Sequence, residues 1–143
     1  MRDEETGQYH TMANETYTLN GYEYSTDDQG RIVSACGLLH TNPEARKSLN
    51  DAVEGMLDDD ERGHIIADIF GGSNLNGNLV AQSFEMNREK YRAIEREWQK
   101  ALGDHKDVIV LVNIRYGKDK RPTSFVVEYF IDNVYHKSDE LTQ

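Results

Sequence analysis

Val108-Ile-Val-Leu-Val-Asn-Ile-Arg-Tyr116 and Ser124-Phe-Val-Val-Glu-Tyr-Phe-Ile131 are rich in β-branched and aromatic residues, which suit a pleated, half-buried surface. Only the charged loop Gly117 to Thr123 separates them, so they are expected to pair as the central strands of an antiparallel sheet. Upstream, Thr16-Tyr-Thr-Leu, Asn20-Gly21 and Tyr22-Glu-Tyr-Ser-Thr read as two short strands around a hairpin turn, because Asn-Gly supplies the positive φ angles of a type I′ turn. Asp27-Asp28-Gln29-Gly30 marks a further turn, and the apolar run through Ile32, Val33, Ala35 and Cys36 extends this N-terminal sheet.

Helical signals are fewer. Asn42-Pro43-Glu44 places a capping side chain before a proline at the first helical position, and Ala45, Leu49, Ala52, Val53 and Met56 follow at helical spacing, which predicts a helix to about Leu57. Ile65, Ile66, Ala67, Ile69 and Phe70 form a short apolar run ending at Gly71-Gly72, expected as a strand or strand-like loop. After the polar stretch Ser73 to Asn78, Tyr91, Ile94, Trp98 and Leu102 recur at three- and four-residue steps, predicting an amphipathic helix from about Asn87 to Leu102. The sum is an α+β domain with a central antiparallel β-sheet and flanking helices. Residues 1–15, polar and without periodicity, read as a leader or linker remnant, and residues 16–143 as one domain.

The 143 residues suffice for one hydrophobic core and one site. No apolar stretch approaches the roughly 20 residues that span a bilayer, and the start Met1-Arg-Asp-Glu-Glu lacks a signal peptide's apolar region, so no membrane role is expected. A single cysteine, Cys36, excludes an intrachain disulfide and reads as a small buried hydrophobe. The net charge of −10 argues against a nucleic-acid partner. Its distribution softens that objection: residues 1–61 hold fourteen acids and four bases, whereas residues 85–121 hold seven acids and ten bases.

Chemistry-bearing residues gather around the second helix. Arg62-Gly63-His64 precedes an apolar run, and Asn78, Gln82, Asn87 and Glu95 follow at intervals of four, five and eight. Singly, each has a bland reading: a histidine bordering the core, an N-cap asparagine, a solvated glutamate. Together, Asn87 and Glu95 lie about two turns apart on one helix face, and Asn78 and Gln82 lead into that helix start. A hard cation such as Mg²⁺ takes oxygen ligands, keeps most of its waters and needs one or two protein ligands, so one asparagine can hold it. A neutral imidazole opposite could take a proton from attacking water.

Glu61-Arg62-Gly63-His64, Phe70-Gly71-Gly72 and the ordered set Asn78, Gln82, Asn87, Glu95 resemble the signature of the DNA/RNA non-specific endonuclease family, in the ββα-metal (His-Me finger) superfamily. The likeness extends over most of residues 20–133, including the Asp-x-x-Gly-Arg turn ending at Arg31 and the final strands. It implies His64 as general base with Arg62 beside it, Asn87 as the single protein ligand of Mg²⁺ or Mn²⁺, and Glu95 orienting water at the metal. Asn78 and Gln82 would support the site. The implied activity is hydrolysis of DNA, or of RNA as well, to 5′-phosphate ends. Glu61 stands where the family has Asp, a change expected to shift Arg62 slightly. Gln99 stands where relatives often carry a phosphate-binding arginine, a role left to Arg92 or Arg96. The interval from His64 to Asn87 suggests a trimmed loop and an open cleft.

Short domains of this kind resemble the C-terminal modules of bacterial polymorphic toxins. That implies delivery into a target cell's cytoplasm as part of a larger protein, and a cognate immunity protein, expected at the basic residues Arg88, Lys90, Arg92 and Lys118 to Arg121. Two alternatives stand beside this reading: an inactive or nucleic-acid-mimicking acidic binding module, and an RNase that uses His64 without metal.

Overall fold

A computed structural model describes residues 11–41 and 55–143. Its main sheet runs β1 (Thr16–Leu19), β2 (Tyr22–Thr26), β3 (Ile32–Leu38), β6 (Val108–Tyr116), β7 (Pro122–Ile131) and β8 (Val134–Lys137), with β9 (Leu141–Thr142) also pairing with β7. Every pairing is antiparallel. A separate ribbon joins β4 (Glu61–His64) to β5 (Leu79–Gln82). The described α-helix is α1 (Tyr91–Gly103), preceded by a π turn at Met86–Lys90.

The hairpin expected at Asn20-Gly21 forms, with both residues at positive φ (52° and 87°). The central strands pair from Val108 opposite Ile131 to Tyr116 opposite Pro122. Their inward residues Val108, Val110, Val112, Ile114, Phe125, Val127 and Tyr129 join Trp98 and Tyr91 of α1 in the main core. Of the strand or strand-like loop expected for Ile65–Phe70, the loop forms, with a 3₁₀ turn at Asp68–Phe70, and the strand is Glu61–His64 just before it. Two expectations change. Leu79–Gln82, expected only to lead into the helix, is a strand. Cys36 is half-buried on the outer sheet face rather than buried. The helix expected from Asn42 lies outside the described residues except for Gly55–Leu57, which are not helical. Among the described residues no helix is long and apolar enough to cross a membrane.

The segment from Ile65 to Asn78 passes through the core with little regular pairing, so its backbone needs other partners. Tyrosine hydroxyls supply them. Tyr17 donates to the Gly77 carbonyl (2.6 Å), Tyr22 to Phe70 (2.5 Å) and Tyr91 to Ile65 (2.6 Å). Asn78, fully buried, completes the set: its Oδ1 accepts from Tyr24 (2.7 Å) and from the Ile66 N–H (3.0 Å), and its Nδ2 donates to the carbonyls of Ile66 (2.8 Å) and Ser73 (2.9 Å). Gly72 is required where the chain doubles back, because a Cβ there would lie 1.8 Å from the Ile66 carbonyl oxygen.

Asp60, just before β4, accepts two bonds from Arg121 (2.6 and 2.9 Å) and so ties the ribbon to the β6–β7 loop. Those bonds hold its carboxyl below the ordinary value of 3.8, against the opposing effect of burial.

Two predictions follow from these contacts. Asn78→Ala strands four polar groups in the core and should cost at least about 3 kcal/mol in urea unfolding, whereas Tyr24→Phe removes one of several bonds and should cost about 1 kcal/mol; equal costs would contradict this arrangement. Because the folded Asp60 pKa is depressed, its contribution is present above the ordinary carboxylate value and lost as pH falls through the folded one. The melting temperature of Asp60→Asn should therefore lie below wild type at neutral pH, and the two should converge on acidification.

Candidate active site

Strand β4 carries Glu61, Arg62 and His64, and both of its ends are tied to the helix start. At its beginning the Glu61 carboxylate accepts from Asn87 Nδ2 (3.0 Å) and from the Arg88 guanidinium (2.8 to 3.1 Å). Just past its end, the Ile65 carbonyl accepts from Tyr91. Asn87 and Tyr91 stand four residues apart, so strand and helix start run side by side. His64 lies between the two ties, about 10 Å of strand from Glu61.

The imidazole of His64 is half-buried and its Nε2 lies 2.7 Å from Asn74 Oδ1. A carboxamide oxygen only accepts, so Nε2 carries the ring hydrogen in this bond, and Nδ1 is the basic nitrogen of the neutral ring. In the sequence Asn74 is one polar residue in a polar stretch. Nothing in its spacing from His64 distinguishes it, because the contact is made by the fold of the Ile65–Asn78 segment.

Asn87 sits in the π turn Met86–Lys90, closed by a bond from the Tyr91 N–H to the Met86 carbonyl. The turn corrects a point of helix geometry. Eight residues of pure α-helix would leave Asn87 and Glu95 about 80° apart around the axis; a turn closed i→i+5 takes in an extra residue and rotates Asn87 back toward the face of Glu95. Glu95 is buried. Burial pushes the Tyr91 hydroxyl well above its ordinary value of 10.0, and the negative charge of Glu95, four residues along the helix, pushes it further. With its Nδ2 committed to Glu61, Asn87 has its amide orientation set and Oδ1 as its remaining acceptor.

Glu61 engages Asn87 and Arg88, and Arg88 chiefly, then Asn87, hold its carboxyl below the ordinary value of 4.5 against the effect of burial. Arg62 alternates with Glu61 along the strand and shares the face of His64, Leu79 and Ala81. Gln82 is fully buried across from Glu61 and packs on Gly63, where a Cβ would lie 1.9 Å from its Oε1. Neither of its amide atoms has a hydrogen-bond partner among the described residues. Asn78 holds the segment's backbone, as described above. Arg92 is half-exposed and Arg96 exposed on α1, as is Gln99.

An acceptor oxygen on Asn87, the buried carboxylate of Glu95 and the Gln82 amide without a partner among the described residues are each oxygen donors of the kind a hard divalent cation takes. Among the described residues no group of three or more His, Cys, Asp or Glu converges as a metal site. A closed structural site of the zinc kind is therefore not seen among them, whereas single-asparagine ligation calls for no such group.

The DNA/RNA non-specific endonuclease family matches residues 13–133. The type VII secretion system protein EssD of Staphylococcus aureus (strain USA300) is 39% identical over 132 residues, covering 84% of this chain and 22% of EssD. The chain thus spans about a fifth of the length of that relative. The probable deoxyribonuclease RhsA of Dickeya dadantii is 31% identical over 94 residues, covering 64% of this chain and 7% of that protein. In three dimensions the chain is similar to NucA from Streptococcus agalactiae with magnesium ion bound (TM-score 0.68, 20% identity, 94% of this chain and 73% of NucA). It is equally similar to NucA with no metal bound (TM-score 0.69, 18% identity, 96% and 81%). At these identities the structural likeness speaks for the fold alone, an α+β arrangement around an antiparallel sheet. The family match covers most of the sequence, and the chain belongs to the DNA/RNA non-specific endonuclease family.

Proposed function

We propose that residues 16–143 form a nuclease domain, residues 1–15 being a leader or linker remnant, that hydrolyses DNA, or DNA and RNA both, to 5′-phosphate ends. It does so with a divalent cation, Mg²⁺ or Mn²⁺, held by Asn87. The observation that carries this reading is the double tie of β4, the strand that bears His64, to the start of the helix, which bears Asn87 with its amide held by Glu61. The magnesium ion bound in the NucA structure supports the choice of metal. When bound, the cation would offset the negative charge that develops on the phosphate oxygens.

The chain's own residues divide the remaining work. His64 Nδ1 takes the proton from the attacking water, and Asn74 keeps the ring in the tautomer that allows it. By holding Asn87 Nδ2, Glu61 would leave the Asn87 oxygen available to the cation. Glu95 would orient water beside it by accepting hydrogen bonds, and Gln82 would support the site. Arg62, Arg92 and Arg96 contact substrate phosphates. The match to a fraction of a type VII secretion system protein and of a probable deoxyribonuclease supports a domain delivered within a longer antibacterial toxin and acting in the target cytoplasm. An acidic immunity partner would then cover the basic helix start and the Lys118–Arg121 loop.

The net charge of −10 favours a second reading, an inactive acidic binding module. Incubation with plasmid and with total RNA, each with and without EDTA, separates the readings. Cutting that EDTA abolishes supports the proposal, cutting that survives EDTA supports a metal-independent RNase, and no cutting supports the binding module.

Asn87→Ala should abolish cleavage without unfolding the domain, and Glu95→Gln should lower it by roughly 10- to 100-fold, the usual worth of an outer contact at a metal. Equal losses would instead make Glu95 a direct ligand. His64→Gly should lose about 100- to 10,000-fold in rate while still binding Mn²⁺. Added imidazole should restore part of the His64→Gly activity and none of the Asn87→Ala activity; a His64→Gly enzyme at wild-type rate would remove His64 from the mechanism.

A further inference from the structure

Phe84 lies one turn before Asn87 and is 56% exposed. Its ring is not loose. The Arg88 guanidinium sits over it, 5.0 Å from the ring centre, and is itself held by Glu61, the residue that also binds Asn87. Ser83, next to Phe84, is anchored through its N–H to Gln143 (2.8 Å) and accepts from the Met86 N–H (3.1 Å). A large flat apolar surface is thus held beside the site through Arg88 and Glu61. Two other strongly exposed rings among the described residues, Phe130 and Tyr135, lean on each other across β7 and β8 of the main sheet.

Folding does not account for an exposed phenyl at this position, since it buries little and caps nothing. A nucleobase does. Every base has a π face, so stacking on an aromatic ring binds a strand without reading its sequence. That contact suits a non-specific nuclease whose many acids leave fewer cations for phosphate. Bases within a duplex are stacked on each other and present only their edges, so the platform is usable only by an unpaired strand.

We propose that Phe84 is the stacking platform for an unpaired nucleobase flanking the phosphate cut at this site, and that single-stranded nucleic acid is thereby the favoured substrate. This rests on the reading of His64 and Asn87 as the cutting end of the cleft. The bland alternative is that Phe84 and Arg88 are a helix-supporting pair at i and i+4. Leucine keeps apolar bulk at that spacing and lacks a ring, whereas tyrosine keeps the ring.

The test is a titration of single-stranded DNA carrying one 2-aminopurine, alone and annealed to its complement, with the His64→Ala protein in Mg²⁺. The same is done with Phe84→Leu and Phe84→Tyr added, each first shown to melt like its parent. Stacking is read as quenching of the probe. Phe84→Leu should weaken single-strand binding by about 5- to 100-fold with loss of the quenching, Phe84→Tyr should retain both, and duplex binding should not change. In the His64 enzyme, Phe84→Leu should raise KM for single strands and leave kcat alone. Wild-type binding and quenching by Phe84→Leu, or an equal loss on duplex, would overturn the proposal. Because quenching is read without cleavage, its failure is distinct from the failure of the catalytic assignments, which would show instead as undiminished cutting by the His64 and Asn87 variants.

Discussion

An irregular segment that crosses a protein core must find partners for its backbone amides and carbonyls, and that requirement governs the segment between β4 and β5. Each buried carbonyl left without a donor would cost on the order of 1–3 kcal/mol. Three tyrosine hydroxyls donate to Ile65, Phe70 and Gly77, a fourth donates to Asn78, and the Asn78 carboxamide bonds Ile66 and Ser73. Three of these tyrosines come from the N-terminal hairpin and one from the helix. The segment is therefore clamped between two parts of the chain far apart in sequence, and Asn74 is delivered to His64 as a result.

The same economy governs the acidic charge. Arg88 is held by Glu61, Arg121 by Asp60 and Arg31 by Asp27, so several of the cations that could meet phosphate are used to brace the fold. Arg31 also donates to the Gly117 and Asp119 carbonyls, fastening the β6–β7 loop. In such a molecule the proposed metal cation and stacking ring would hold a polyanion without depending on a basic surface. Glu61 links the two: one carboxylate orients Asn87 and pins the arginine that lies over Phe84.

Much of the architecture was legible because it rests on local chemistry. Asn20-Gly21 turns as its φ preferences require, the central strands carry unbroken β-forming runs, and Tyr91, Ile94, Trp98 and Leu102 mark the helix by period alone. The ribbon was harder to see. Glu61-Arg62-Gly63-His64 has no β-forming character, and it pairs with Leu79–Gln82 because Gly63 lets the Gln82 side chain lie across it. The neighbouring run Ile65–Phe70, apolar enough to be a strand, is instead packed into the core by tertiary contacts that override its pattern.

By itself the sequence determined the family, the α+β class and the residue types of the candidate site, since these depend on composition, period and the order of a few chemical groups along the chain. Only the tertiary structure decided how those groups are oriented. The π turn that rotates Asn87 toward Glu95, the Glu61 bond that sets its amide, and the Asn74 contact that fixes the His64 tautomer each join residues whose separation in sequence carries no period. A hydrogen bond is directional and short in range, so which partners meet is settled only when distant segments are packed against one another.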